Sequence, residues 1–560
     1  MRPHPEGRGP GQMDPPRAVE PPSGSVLEWA GLKIPAARLS AALILLAALV
    51  ALGLRLEEVL RPGHLFGVVQ YDDSVYLGAA LRIVAGQLPY RDFVTIQPPG
   101  LPLLLVPIAA LSHWIGARGA MAAARLLVPI VSAADVVLLG LLVRHRAPLV
   151  VGVACFALAA YPDDLLSAPT VYQEPFLNLF CLVGAWLAFR GDGLTGSGRR
   201  LWLAGLAFGV GGAIKVWAIF PVVVLVLLLW RRPRGGLALI AGAGVGFLVV
   251  CSPFLVISAS AFVHQVLISQ ALRVDVVRVP IVVRLVLITG VVITNVAQVT
   301  VLQRQLGLAV AGLLAGFLAI CFLALPTPRE VGAAPPGASW WRRRRTTPLE
   351  RFALGSLVLT LLAFMIPDDF YFHYATFLGP FLMLALALAS GRVLPLLREV
   401  AVGLAALVLL GALMHALLVA RGVAPAPDPA AALDRLIPPG ACVVTDNPAY
   451  LIAANRYLSG ARCPPLVDPY GATIDLSQGR VANGGASSSA AAVGAWRGYF
   501  ERAEYLLLTP ASAVRIPWTP ALESYVEHHF RMAATAPALV LVRGAGGPPY
   551  SLAVLAGAPP

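Results

Sequence analysis

Charged residues are scarce in this sequence. Asp, Glu, Lys and Arg together make up 13% of the 560 residues, whereas 58% are hydrophobic, and the mean hydropathy is +0.77. A soluble domain cannot bury so much apolar surface, so lipid must be the solvent for most of the chain. The apolar residues come in runs of roughly 17–25, the length that a helix needs to cross a hydrocarbon core of about 30 Å. The sequence therefore predicts an α-helical, polytopic membrane protein.

Several motifs of soluble enzymes are also missing. No Cys/His cluster has metal-ligand spacing, no glycine-rich loop follows a strand, and no Ser/His/Asp set can be argued. The isolated pair His528-His529 is typical of a protein surface. The net charge is +13, but the arginines form short clusters between apolar runs. This basicity therefore indicates membrane topology and not a nucleic-acid partner.

The composition divides the chain into three parts. Residues 1–36 begin with a stretch rich in Pro, Gly and Arg that has no apolar run, which predicts a disordered cytoplasmic tail and not a signal peptide. Residues 37–420 contain the apolar runs and form the predicted transmembrane domain, with an outer loop at 57–119. Residues 421–560 have mixed polar sequence with short apolar runs, which predicts a small extracytoplasmic α/β domain.

About eleven runs are candidate spans, and positively charged loops lie on the cytoplasmic side of a membrane. With the N-terminus inside, every arginine cluster falls in the cytoplasm if two further apolar stretches, 98–112 and 281–300, do not cross. We interpret both as interfacial or re-entrant. The candidate spans are 37–56, 120–143, 147–161, 171–190, 201–214, 216–230, 235–257, 305–325, 350–366, 374–391 and 399–420.

The cysteines fall into two groups. Four of the six lie inside apolar runs, where a cysteine behaves as a small hydrophobic residue. Cys442 and Cys463 both lie in the C-terminal soluble segment. A pair of this kind in an oxidising compartment is a disulfide candidate, and two free thiols are the alternative.

Acidic residues are concentrated in the outer loop, where Asp72 and Asp73 precede an apolar, helix-like stretch. A carboxylate at the mouth of a membrane cavity can accept a proton from an acceptor hydroxyl if it is held near both acceptor and donor. The alternative is that Asp72 only caps the helix that follows.

This loop resembles the first periplasmic loop of the GT-C glycosyltransferases. The likeness is to the family-39-like branch, which includes protein O-mannosyltransferases and lipid A aminoarabinose transferases, and it covers roughly residues 37–420. The family pattern is Asp-Glu-x-x-Tyr followed by Pro-Pro. In this sequence it reads Asp72-Asp73-x-x-Tyr76, then Gly86-x-x-Pro89-Tyr90-x-Asp92-Phe93 and Pro98-Pro99-Gly100.

The resemblance implies roles for the residues of this motif. Asp72 is expected to be the catalytic base of an inverting, single-displacement transfer, with Asp73 orienting acceptor or donor. Tyr76, Asp92 and Gln97 are expected to bind substrate. Two departures are visible, because Asp73 replaces the usual Glu, and Gln97 stands where relatives often carry His or Lys.

Basic residues on the predicted outer side could bind the departing lipid phosphate. Lys215 interrupts an apolar stretch directly after Gly211-Gly212-Ala213-Ile214, where two glycines could break a helix and place the ammonium at the phosphate. Arg273 lies in the loop 258–304 on the same side. Snorkelling of the side chain to the interface is the alternative reading of Lys215.

Three further candidates lie near predicted helix starts. Glu174 stands where relatives place an acidic residue, although a Glu in a first helical turn also complements the helix dipole. His373 and Tyr374 resemble the His-Tyr pair that faces the donor phosphate in these transferases. An aromatic belt is the alternative explanation for the tyrosines.

These observations favour a hexosyl- or pentosyltransferase of the cell membrane. It would move a sugar from a polyprenyl-phosphate donor to a glycan, lipid or protein acceptor of the cell envelope. No cofactor is required by the sequence, although Asp72, Asp73 and Glu174 could jointly hold a divalent cation. The alternatives are a flippase or transporter for lipid-linked sugars, and a GT-C-like scaffold without catalysis.

Overall fold

The computed structural model describes most of the chain, and it is largely helical. The described residues are 26–29, 32–274, 278–291, 299–326, 346–422, 426–458, 460, 463–536 and 538–544. Most of the predicted tail and the arginine cluster 342–345 lie outside them. Within the tail region, β1 (Val26–Trp29) and β2 (Leu32–Pro35) pair as antiparallel strands.

The protein is a multi-pass membrane protein whose helices coincide with the predicted spans. Within the described ranges, five helical segments are long and apolar enough to cross a membrane, namely Ala36–Val59, Ser112–Val143, Pro233–Ala271, Val301–Ala324 and Tyr374–Leu394. The helices are α1 (Ala36–Val59), α2 (Asp72–Val84), α3 (Gly100–Ala110), α4 (Ser112–Val143), α5 (Pro148–Ala159), α6 (Pro162–Ser167), α7 (Gln173–Ala188), α8 (Gly198–Ile214), α9 (Ile219–Leu228), α10 (Pro233–Val263), α11 (Ser269–Ala271), α12 (Ile281–Ile288), α13 (Val301–Ala319), α14 (Pro348–Phe364) and α15 (Tyr374–Gly422). A two-residue hairpin, β3 (Phe189–Arg190) and β4 (Gly193–Leu194), follows α7.

The two predicted spans 374–391 and 399–420 both belong to α15. This helix has 49 residues, which at 1.5 Å per residue is about 74 Å, more than twice the thickness of a hydrocarbon core. One straight crossing therefore does not account for it.

Contacts at the two ends of α5 show that the chain of α15 turns back. Gly391 lies against Val150, near the start of α5. His415 forms a 2.9 Å hydrogen bond with the carbonyl of Gly290, and Gly290 packs against Pro162, just beyond the end of α5. Residues 391–415 thus return across the membrane domain, as two spans require.

In the parts of the two stretches predicted not to cross that the structure describes, the helices are short. Within 98–112 lies α3, with 11 residues or about 16 Å, and within 281–300 lies α12, with 8 residues or about 12 Å. Neither helix is long enough to cross the hydrocarbon core.

Helices α8 and α10 pack closely because glycines of each helix lie against the backbone of the other. Gly205 and Gly209 of α8 lie against the carbonyls of Leu239 and Ala243 in α10. In return, Gly242 and Gly246 of α10 lie against the carbonyls of Trp202 and Leu206 in α8. Small residues spaced four apart allow membrane helices to approach in this way. The packing fixes α8 and so the position of Lys215 at its end.

An ion-pair network joins the basic residues at one end of the helices. Arg146 lies 2.8 Å from Asp192, and Arg392 lies 2.6 Å from Glu350, which Arg146 also approaches at 3.7 Å. These arginines belong to clusters that the sequence places in the cytoplasm. The long outer loop and its acidic residues lie at the opposite end.

The C-terminal domain is a small α/β unit, as predicted. Its four strands pair in the order β5-β6-β8-β7, with β5 and β6 parallel and the other pairs antiparallel. The elements are α16 (Ala430–Leu436), β5 (Val443–Thr445), α17 (Ala449–Ala453), α18 (Pro469–Leu476), α19 (Ala490–Arg502), β6 (Tyr505–Leu508), α20 (Ser512–Arg515), α21 (Pro520–His529), β7 (Phe530–Ala534) and β8 (Leu539–Arg543).

Alternation along the strands gives the sheet two buried faces. One face packs on α19 and α21 within the domain, through Val444, Leu506 and Leu541. The other face joins the hydrophobic core of the transmembrane domain, through Val443, Leu507 and Val540.

A disulfide closes the C-terminal domain internally, and polar contacts dock this domain on α2. Cys442 and Cys463 form a disulfide. Arg82 of α2 donates to the carbonyl of Tyr457 at 3.1 Å, and its guanidinium lies 4.7 Å from the centre of that ring. Helix α2 is therefore held between the membrane domain and the C-terminal domain.

We expect Gly209→Val to destabilise the protein strongly. The first added carbon would lie 2.1 Å from the carbonyl oxygen of Ala243, so α8 and α10 would have to separate. Gly244→Val is the matched control, because α10 has open space at Gly244. Thermal unfolding in detergent should give a clearly lower midpoint for Gly209→Val only. Equal midpoints for the two variants would contradict the close packing.

Candidate active site

The first residue of the candidate site is Asp72, at the start of helix α2. Asp72 is the first helical residue, and Tyr71 occupies the N-cap position without any side-chain capping bond. Asp72 is therefore not the N-cap residue of α2 but lies in its first turn. Tyr76 lies one helical turn further on the same face as Asp72, and its ring is buried.

Asp73 points away from Asp72, as consecutive residues of a helix do. It is fully buried, with Oδ2 at 2.5 Å from Nη2 of Arg125 and Oδ1 accepting the Val171 N–H at 3.0 Å. Arg125 also donates to the carbonyls of His64 and Gly67. Both oxygens of Asp73 are thus used inside the protein, and the pair holds the loop before α2. This arrangement differs from the expected role of Asp73 in orienting donor or acceptor.

A second group of predicted residues meets at Glu174, in the first turn of α7. Lys215 Nζ donates to Glu174 Oε1 at 2.6 Å, and His373 Nδ1 lies 3.2 Å from the same oxygen. All three residues are buried. Three parts of the chain, far apart in sequence, therefore share one buried charge network.

Lys215 lies at a break in the helices. The helix α8 ends at Ile214, and Lys215 has extended backbone angles (φ −150°, ψ 131°) before the chain resumes helical turns. Its Nζ lies 3.6 Å from the ring centre of Trp217 and 4.6 Å from that of Tyr374. The ammonium thus has aromatic faces and one carboxylate around it, an arrangement that stabilises a cation in a dry site.

His373 is oriented by stacking as well as by Glu174. Its ring is 4.2 Å from that of Tyr172, with the planes 15° apart. Among the described residues nothing bonds the other ring nitrogen, Nε2. The stacking on Tyr172 therefore fixes the orientation of the imidazole ring, and Nε2 is left for a ligand.

The glycine that follows the double proline, Gly100, lies against the chain that leads to Lys215. Gly100 is packed on the backbone of Ala213 and Ile214, where a side-chain carbon would be 2.5 Å from a carbonyl oxygen. Gln173 donates to the same Ile214 carbonyl at 2.6 Å. Gln97 lies three residues before Gly100, and its carbonyl accepts the Tyr90 hydroxyl at 2.7 Å.

Arg273 contacts the loop that leads to His373, whereas Asp92 has only local partners among the described residues. Arg273 lies 3.4 Å from Asp369 and donates to the Tyr371 hydroxyl at 3.1 Å, in the loop that leads to His373. Asp92 instead pairs with Arg91 at 2.8 Å and accepts the Leu88 N–H, which closes a local turn. Asp92 therefore shapes the outer loop and is not brought to the Asp72 carboxylate.

The C-terminal domain contributes residues that the sequence analysis missed. The Tyr71 hydroxyl donates to Asp468 Oδ1 at 2.6 Å, and the Arg515 guanidinium lies 4.2 Å from the Tyr71 ring centre. Asp468 followed by Pro469 is recognisable as a helix start, but no local pattern connects it to Tyr71.

The Asp72 carboxylate has no hydrogen-bond partner among the described residues. Burial raises its pKa above the ordinary value, the charges of Glu174 and Asp468 add to this, and those of His373 and Lys215 oppose it. A carboxylate with a raised pKa and free oxygens is suited to accept a proton.

A divalent cation held by Asp72, Asp73 and Glu174 is not supported by the geometry, because Asp73 is committed to Arg125. Across the described part of the chain, no group of three or more His, Cys, Asp or Glu side chains is arranged to hold a metal ion.

We expect Arg125→Met to destabilise the protein by about 3–5 kcal/mol, because it leaves Asp73 buried without a partner. The double variant Arg125→Met with Asp73→Leu should recover part of this loss, since no charge remains unpaired. Thermal unfolding of the purified variants measures both effects. A double variant no more stable than Arg125→Met would contradict the pairing.

Comparisons with known proteins identify the fold. No family model matches the chain, and no curated protein matches it. The structure of ArnT from Cupriavidus metallidurans bound to undecaprenyl phosphate matches with a TM-score of 0.56 and 15% identity, covering 90% of this chain and 99% of that one. The apo structure of the same protein matches with a TM-score of 0.57 and 14% identity, covering 91% and 99%. ArnT is a lipid A aminoarabinose transferase with the GT-C fold, and this chain has the same fold.

Proposed function

We propose that this protein is a membrane glycosyltransferase that moves a sugar from a polyprenyl-phosphate donor to a hydroxyl of a cell-envelope glycan, lipid or protein. The observation that carries the proposal is the partly buried carboxylate of Asp72, which has no hydrogen-bond partner among the described residues and interacts electrostatically with Lys215 and His373. The undecaprenyl phosphate bound to ArnT, which has the same fold, supports a lipid-phosphate donor.

The reaction would be an inverting single displacement. The acceptor oxygen attacks the anomeric carbon, Asp72 takes the proton of that oxygen, and the bond from the sugar to the phosphate breaks. The electron pair of this bond stays on the polyprenyl phosphate. A raised pKa suits Asp72 to this task, because a general base works best when its pKa is near the operating pH.

The leaving phosphate gains negative charge as the sugar departs, and the nearby cations would stabilise it. Lys215 uses one of its three N–H donors on Glu174, so two remain for phosphate oxygens. His373 would donate from Nε2, and Arg273 lies in contact with the same loop through Tyr371. Glu174 would hold Lys215 and His373 in place without contacting the phosphate.

The site would face the outside of the cytoplasmic membrane. The Cys442–Cys463 disulfide is typical of an oxidising compartment, and the C-terminal domain that contains it covers the site. The arginine network around Glu350 lies at the other end of the helices, which suits the cytoplasmic side.

We expect Asp72→Asn to lower sugar transfer by about 10²–10⁴-fold, the usual contribution of a general base. The assay uses membranes that carry equal amounts of folded protein and labelled polyprenyl-phosphate sugars. Asp434→Asn is the matched control, because this side chain is half exposed and its one ion pair in the described part of the chain is with Arg456. Equal transfer by wild type and Asp72→Asn would show that Asp72 is not the base. Lack of transfer by the wild type with every donor would instead favour a flippase or a scaffold.

We expect the double variant Lys215→Met with Glu174→Gln to bind polyprenyl phosphate about 10–100-fold more weakly than wild type, because a hydrogen bond to a charged group contributes about 1.5–3 kcal/mol. The double change avoids leaving Glu174 as an unpaired buried charge. Binding of the polyprenyl phosphate in detergent measures the effect, with Asp434→Asn as control. Unchanged affinity would contradict a phosphate site at Lys215.

A further inference from the structure

Asp468 is a buried carboxylate that the proposed reaction leaves without a role. It is 4% exposed and occupies the N-cap of α18, where its Oδ1 accepts the Gly471 N–H at 2.8 Å. The same oxygen accepts the Tyr71 hydroxyl. No hydrogen bond to its Oδ2 is present among the described residues. One oxygen of Asp468 thus joins the C-terminal domain to the residue directly before Asp72.

Tyr71 is held by the C-terminal domain from several directions. Its hydroxyl donates to Asp468 and accepts the Tyr470 N–H at 3.0 Å. The Arg515 guanidinium lies over the Tyr71 ring and is fixed 3.3 Å from Asp446 Oδ2. The Asp72 side chain, in contrast, forms no hydrogen bond with any residue that the structure describes. The direction of the Asp72 side chain therefore depends on how Tyr71 is anchored.

The groups that hold Tyr71 are themselves fixed to the sheet. Asp446 lies directly after β5, and Cys442 lies directly before it. The Cys442–Cys463 disulfide ties the segment that leads to Asp468 to the same strand. The contact of Asp468 with Tyr71 therefore reports whether the whole domain is docked.

We propose that Asp468 is a positioning residue for Asp72, acting through Tyr71, so that the base is aligned only when the C-terminal domain is docked on α2. This proposal rests on the proposed function, and it adds a residue from the second domain to the site. The site is then shared by both domains, and neither domain is competent for transfer by itself.

The charge of Asp468 gives the proposal a second readout. Asp72 faces Tyr76 on its own helix, Glu174 on α7, Lys215 after α8, His373 before α15 and Asp468 before α18. Among these groups, Glu174 and Asp468 raise the pKa of Asp72, after the larger effect of burial. Loss of the negative charge at Asp468 should therefore lower the pKa of Asp72. The base would then stay deprotonated to lower pH.

The test compares Asp468→Asn with Tyr71→Phe. We expect both variants to lower kcat by about 10–100-fold, because small errors in the placement of a catalytic group have effects of this size. The KM for the lipid donor should not change, since Lys215 and His373 are untouched. Asp468→Asn should also shift the acidic limb of the pH–rate profile to lower pH, whereas Tyr71→Phe, which keeps the charge, should not.

Control measurements separate positioning from folding and from failure of the proposed function. Asp434→Asn, the same change in the same domain, should match wild type. If Asp468→Asn keeps both the wild-type kcat and the wild-type acidic limb, the proposal is wrong. A lower thermal midpoint with an unchanged kcat per folded molecule would likewise overturn it. If the wild type transfers no sugar, the proposed function fails. Infrared titration of the Asp72 carboxyl then still tests whether Asp468 is coupled to Asp72. An Asp72 pKa that does not fall in Asp468→Asn would exclude the coupling.

Discussion

The buried ion pair of Glu174 and Lys215 is the constraint on which the outer half of the transmembrane domain depends. A carboxylate and an ammonium in this setting are tolerable only together, because either one alone would be an uncompensated buried charge. Their contact at 2.6 Å therefore fixes the start of α7 against the break after α8. His373 adds the chain before α15 to the same carboxylate. The glycine packing of α8 on α10 places Lys215 at the level where this pairing can form.

Asp72 and Asp73 show how one helix start gives adjacent, identical side chains opposite tasks. Consecutive helical residues point about 100° apart. Asp73 therefore turns into the protein, where Arg125 and the Val171 amide use both of its oxygens. Asp72 turns toward Glu174, Lys215 and His373, and its oxygens accept no hydrogen bond from the described residues. The Asp73 carboxylate, with both oxygens bonded, stabilises the loop before α2. The Asp72 carboxylate, which has no hydrogen-bond partner among the described residues, can still accept a proton.

Much of the fold was predictable from the sequence, because run length and arginine placement are local signals. The disulfide was also predictable, since Cys442 and Cys463 are the two cysteines outside the apolar runs. The site was predictable only in part. The position of Asp92 in the motif suggested a role in substrate binding, but its partners are Arg91 and the Leu88 amide. The motif does not reveal that Asp92 closes a local turn. The contact of Tyr71 with Asp468 joins residues 397 positions apart, so no local pattern could indicate it.

The two domains supply different groups to the site. Lys215 and His373 lie in the transmembrane domain, where the proposed function would bring the phosphate of a lipid donor. The residues that hold Tyr71 come from the C-terminal domain, where the proposed function would bring the acceptor. Asp72 lies between the two, at the first turn of a helix that both domains clamp. In the proposed reaction, a base in this position would meet donor and acceptor together only while the two domains stay in contact. The buried sheet face that joins the domains, through Val443 and Val540, would then matter to catalysis as much as the charged residues do.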